Sequence, residues 1–253
     1  MNAATNPHVN YILRLADGSL VLAQRLSELC GKGPALEPDI ALTNIALDLL
    51  GQARLLLSHA GTLEGQGRDE DALAYWRDAK DFLNPTLCEL PNGDFAQTCL
   101  RAYCYVSWQA VLWAQLQQSS DAALAAIAAK SCKETRYHCE HLGDWVLRLG
   151  DGTAESHARM QRALDYLYPY TNELFDSDAT DEAAAAVGLG PLPSTLAADW
   201  QAQVLPLLTE ATLSVPATVP FHSTGRRGVH SEALGHLLGE MQVVARAHPG
   251  AHW

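Results

Sequence analysis

Apolar residues recur every three or four positions along most of this 253-residue chain, and no stretch alternates strictly between apolar and polar. That period fits the helical turn and not the two-residue repeat of a half-buried strand, so the sequence predicts an all-α protein. Helices are expected over residues 7–30, where Pro7 suits a first turn and Gly31, Gly33 and Pro34 end the run, and over 38–60, after Pro38 and Asp39. Asp17-Gly18 is a place for a bend. Residues 61–68 read as a connector, 69–83 as a shorter helix and 91–94 as a turn. Later helices are expected over 94–118, from the Ser120-Asp121 cap to Leu149, over 153–175 and 194–213, and from the Ser231 cap to Ala247. Residues 214–230 read as a loop, and the tail as loose unless Trp253 docks.

Four long helices in two hairpins, joined by the long connection of residues 61–93, suggest an antiparallel four-helix bundle with additional C-terminal helices. One long crossover is the ferritin-like arrangement, and the whole of 1–253 reads as a single domain of that kind.

Two of the long helices carry polar pairs on their apolar faces. Gln52 lies about 40° around the helix from Asp48, and His138 about 40° from Glu134. Polar groups so placed are costly unless they are paired or bind something. A carboxylate-bridged di-iron centre in such a bundle needs one Glu from each of two helices and Glu-x-x-His from each of the other two. The chain has no Glu-x-x-His. Where one is expected it reads Leu49-x-x-Gln52 and Thr135-x-x-His138, and no acid stands between Gly18 and Ser27 or between Phe95 and Ser120. The four positions therefore read as the vestige of a metal centre, with no metal ligand set. Two readings of the fourth helix stay open: a small metal site of Glu134, His138 and His141 in an independent metalloenzyme, or a buried polar network that Asp48 also joins.

The net charge of −12 argues against nucleic acid or an acidic membrane as partner. No uninterrupted apolar run of membrane-span length occurs and the start lacks the pattern of a signal peptide, so a cytoplasmic protein is expected. The six cysteines form no C-x-x-C and read as buried reduced thiols. Arg226 and Arg227, between glycines and ahead of a helix, form a local positive spot. It reads as a solvated loop, a partner contact or a site for the phosphates of CoA, the last implying a regulatory subunit. The third long helix, with Tyr103, Tyr105, Trp108 and Trp113 and one charge, Arg101, is expected to be core on most sides and to offer one face to a partner. His8, Asp17 and residues 181–186 read as surface or capping features. Serine-nucleophile and phosphate-loop motifs are absent.

The blocks LRLADGSLVLAQRLSELCG, DIALTNIALDLLGQARLLLSHA, LPNGDFAQT, KETRYHCEHLGDWVLRLGDGT and GRRGVHSEALGHLLGEMQVVARAHPGAHW together resemble the C-subunit family of bacterial phenylacetyl-CoA epoxidases, also called phenylacetate-CoA oxygenases. The resemblance implies a ferritin-like fold and a place in a multicomponent monooxygenase that epoxidises the aromatic ring of phenylacetyl-CoA. It further implies a catalytic A subunit holding the di-iron centre and the CoA-thioester pocket, and a small bridging B subunit. A reductase would pass electrons from NADPH through flavin and an iron–sulfur cluster. The C subunit of that family is a related bundle without metal ligands, paired with A as a structural partner.

Overall fold

Polar caps set most of the helix starts. In the computed structural model, which describes residues 6–217 and 221–251, the Asn6 side chain accepts from the His8 N–H at the head of α1 (Pro7–Ser27). Asp94 does the same for Gln97 at the head of α5 (Phe95–Leu116), and Asp121 for Ala123 and Leu124 at the head of α6 (Ala122–Gly150). Each cap satisfies a first-turn N–H that has no intrahelical acceptor. Between them lie α2 (Leu36–Glu64), α3 (Glu70–Tyr75) and α4 (Thr86–Glu89); α7 (Ala154–Leu167), α8 (Ala179–Ala186), α9 (Ala197–Glu210) and α10 (Glu232–Ala247) follow. No strand forms among the described residues; Thr224 and Val229 make an isolated antiparallel bridge. The fold is all-α, as the spacing predicts.

The boundaries differ from expectation where proline and short-range capping override periodicity. Helix α2 begins at Leu36 and takes Pro38 into its first turn, where a missing N–H costs nothing. Pro169 ends α7, and residues 168–175 continue as 3-10 helix. The expected helix at 69–83 divides into α3 and a 3-10 turn, Ala79–Asp81. The acidic patch read as surface forms α8, whose capping box places Asp181 in the interior. Trp253 lies outside the described residues.

Two compact units emerge. The first gathers residues up to 32, residues 36–91 and residues from 224 on. Here α1 and α2 form a long hairpin, and α1 is buried on nearly every face from Val9 to Ala23. Its polar residues stitch distant segments to it. Arg14 Nε donates to the Arg226 carbonyl at 3.1 Å, and Arg25 donates to the carbonyls of Glu89 and Ala233, each at 2.9 Å. Asp17, expected at the surface, is fully buried. Arg77 Nη1 donates to its Oδ2 at 2.9 Å and the Leu83 N–H at 2.8 Å. Burial is tolerable here because the opposite charge and a backbone donor come with it.

The second unit holds residues 92–223 with 33–35. Its hairpin is α5–α6, and α7 and α9 also pack on α5. The expected partner face of α5 is a correction: Tyr103, Tyr105, Trp108 and Trp113 are all buried within the chain, and Arg101 is buried too, bonded to the Asn92 side chain. The Trp200 indole N–H donates to the Cys104 carbonyl at 3.1 Å, which pins α9 to α5. Three cysteines, Cys88, Cys99 and Cys104, are buried as expected; Cys30 is exposed, because α1 ends before it.

Candidate functional site

The buried stripe of α2 runs through Ile45, Leu49, Gln52 and Leu56, and that of α6 through Ser131, Thr135, His138 and Leu142. Leu49, Gln52, Thr135 and His138 are each at 0% exposure. These are the two i,i+3 positions per hairpin where Glu-x-x-His would stand. The polar residues four positions apart do not share that depth. Asp48 and Glu134 are half-buried, at the edges of the stripes, and Glu134 pairs with Lys130 one turn earlier. A rotation of 40° suffices to carry a side chain from the centre of a narrow stripe to its flank.

Neither helix supplies its share of a di-iron ligand set. The buried positions of α2 offer an alkyl group and an amide, and those of α6 a hydroxyl and an imidazole, where bridging and charge balance require carboxylates. The smaller trio does not assemble either. His141 is half-buried and stacks on Tyr137, with ring centroids 5.9 Å apart. Burial lowers its pKa, and the nearby Arg148 and His138 lower it further against the opposing pull of Asp144. Among the described residues, no three His, Cys, Asp or Glu side chains converge as a metal site.

The positive spot is also rearranged. Arg226 is only 7% exposed, while Arg227 lies on the surface. The turn is drawn inward at Gly225, where an added Cβ would come within 2.5 Å of the Asn84 carbonyl oxygen. Gly225 N–H donates to Thr86 Oγ1 at 3.2 Å. The same segment brings in a residue that sequence reasoning passes over. Glu89 is fully buried and receives Asn84 Nδ2 at 2.8 Å and the Ser231 N–H at 2.6 Å. His230 Nδ1 lies 2.7 Å from the same carboxylate, and His230 Nε2 lies 2.8 Å from the Phe82 carbonyl. A carbonyl only accepts, so Nε2 donates to Phe82, while Nδ1 faces the Glu89 carboxylate. The cluster is a buried clasp closing the 224–231 segment on α4. The one signal for it in sequence is an acid, Glu89, set in the apolar run from Leu87 to Pro91.

With the interior described, the comparisons with known proteins bear directly on it. The model of the phenylacetic acid catabolic protein family matches residues 1–253. The chain belongs to that family. Within the phenylacetic acid catabolic proteins it is similar to the C subunit of the 1,2-phenylacetyl-CoA epoxidase of Escherichia coli (strain K12). The two are 49% identical over 243 residues, which span 96% of this chain and 98% of the relative. The relative's name makes it one subunit of a multisubunit enzyme. The all-α, ferritin-like fold class expected from the sequence is the one this family member has.

Proposed function

We propose that this chain is the non-catalytic structural subunit of a multicomponent phenylacetyl-CoA 1,2-epoxidase in aerobic phenylacetate degradation. It would pair with and stabilise the di-iron catalytic A subunit. The observation that carries the reading is made on each helix by itself: the i,i+3 positions Leu49 and Gln52 of α2, and Thr135 and His138 of α6, are fully buried and carry no carboxylate. The kinship to the C subunit of an epoxidase supplies the substrate and the reaction class.

On this reading the chain binds no cofactor. Iron belongs to the catalytic subunit, flavin and an iron–sulfur cluster belong to the reductase, the small B subunit joins the assembly, and the complex is cytoplasmic. The chain's part is physical: a helical subunit that binds only the folded catalytic subunit raises that subunit's stability by mass action.

The test is metal content by plasma mass spectrometry after anaerobic iron loading and desalting, for the chain alone and for the chain co-expressed with the catalytic subunit. Iron in the co-expressed complex alone is expected. Stoichiometric metal in the isolated chain sinks the proposal, as does full epoxidase activity of the catalytic subunit without this chain.

A further inference from the structure

The outward face of α2 has the composition of an interior. Leu36, Ile40, Leu47 and Leu50 are exposed, the first at 69% and Leu47 at 59%. With Thr43 and Arg54 they fall at 36, 40, 43, 47, 50 and 54, steps of four and three in strict alternation. That is the narrow 3.5-residue seam of a helix that packs against another helix along its length, and it spans roughly 27 Å at 1.5 Å per residue. Among the described residues, Leu36, Ile40 and Leu47 keep half or more of their surface open and Leu50 somewhat less, which leaves a row of apolar side chains on a protein of net charge −12.

The stripe continues into a cleft. Leu50 and Arg54 border a cavity of about 140 Å³ that Leu57, Ala74 and Tyr75 also line. Asp71 and Tyr75 border a second hollow of about 360 Å³, beside exposed Trp76 and Val244. A seam that leads into a cleft fits a contact in which one large side chain of the partner serves as anchor.

The rim is acidic. Glu37 and Asp71 are exposed at its edges, Asp48 is half-exposed, and Arg54 is already bonded to Glu70. An acidic border disfavours a second copy of this chain, which would bring like charges together. It also disfavours a lipid surface: α2 is long and apolar enough to cross a membrane, with half of that stretch buried, yet interfacial helices take Lys and Arg on their flanks.

We propose that the α2 seam is the docking face for the catalytic subunit, and that its occupant is an α-helix with apolar residues at the same spacing and Lys or Arg along its edges. This rests on the structural-subunit reading above.

The experiment is co-purification of this chain with the catalytic subunit of the same epoxidase, wild type against Ile40→Asp, Leu47→Asp and the double charge reversal Glu37→Lys/Asp71→Lys. All four side chains are exposed, so circular dichroism and melting should match wild type. Val187→Asp, at an exposed apolar site on the second unit, is the control. The expected result is a loss of association on the order of a hundred-fold for Leu47→Asp, a smaller loss for the charge reversal and none for Val187→Asp. Wild-type association in folded Ile40→Asp and Leu47→Asp overturns the docking face and leaves the structural-subunit reading standing. A wild-type pair that never forms overturns that reading itself. A dimer of the isolated chain that Leu47→Asp dissolves assigns the seam to a second copy and overturns the proposal.

Discussion

His230 and Glu89, 141 residues apart in sequence, meet at 2.7 Å inside the protein. Both side chains are almost wholly enclosed, at 4% and 0% exposure. Replacing Glu89 with Ala strips the acceptor from His230, Asn84 and the Ser231 N–H together. The expected cost is about 3–5 kcal/mol in urea unfolding, the range for breaking a buried pair. Glu89→Gln keeps one acceptor oxygen and should lose less. A Glu89→Ala protein within about 1 kcal/mol of wild type would show that the clasp contributes little.

Asp17 and Arg77 make a second buried pair, with Arg77 also lying over the Phe82 ring at 4.3 Å. Asp17→Leu or Arg77→Met alone leaves a charge enclosed and should cost about 3–5 kcal/mol, whereas the two together should cost less than the sum of the singles. A double-mutant cycle by denaturant titration reads this out. Strict additivity would mean that the two residues act independently.

Glu134 and His138 should separate sharply. Glu134 faces Lys130, which is 55% exposed, so Glu134→Gln is expected to cost under about 1 kcal/mol. His138 lies in the buried stripe, and His138→Ala should cost about 2–5 kcal/mol by leaving a cavity. Equal losses at both sites would place Glu134 in the core after all.

Buried thiols make the fold sensitive to alkali. Burial pushes the Cys104 thiol up to about 12 and the Cys139 thiol up to about 11, the latter partly offset by the Ser107 hydroxyl. Once pH exceeds the ordinary thiol value, the unfolded chain gives up these protons while the native chain keeps them. Stability is therefore intact below about pH 8.5 and falls as pH rises from there toward the folded values. The Cys104 contribution steepens the fall by roughly 1.4 kcal/mol per pH unit. Urea titrations from pH 8 upward should show the decline, and Cys104→Ala should flatten it. At neutral pH iodoacetamide should label the exposed Cys30 before any other cysteine.

Helical phase is the part of this molecule that its sequence makes legible. The α5 run of Tyr103, Trp108 and Trp113, the missing Glu-x-x-His and the inward course of Gln52 and His138 all follow from residue type and 3.6-residue spacing. Phase is too coarse to separate Asp48 from Gln52, one turn apart, and the half-buried acids lie shallower than their spacing suggests. Asp17 resembles a surface residue because its partner Arg77 lies 60 positions on, across a connection whose path no local pattern specifies. The clasp is hidden for a related reason: α4 is four residues long, too short for any periodicity to announce that Glu89 is enclosed. Arg226 has the look of a solvated residue because a glycine-rich turn ahead of a helix usually is solvated; the close approach of Gly225 to Asn84 is a tertiary fact.

The stitching of α1 has a consequence for synthesis. Arg14 takes an acceptor from Arg226, and Arg25 takes one from Ala233 besides the one at Glu89, both contacts reaching across the whole of the second unit's sequence. The second unit is nearly continuous in sequence and is fully emerged while the first still lacks its closing segment. On the ribosome the early hairpin of α1 and α2 can meet the Glu89 carbonyl soon after it forms but waits for those of Arg226 and Ala233, so part of the first unit's stitching is added after the second unit has been made.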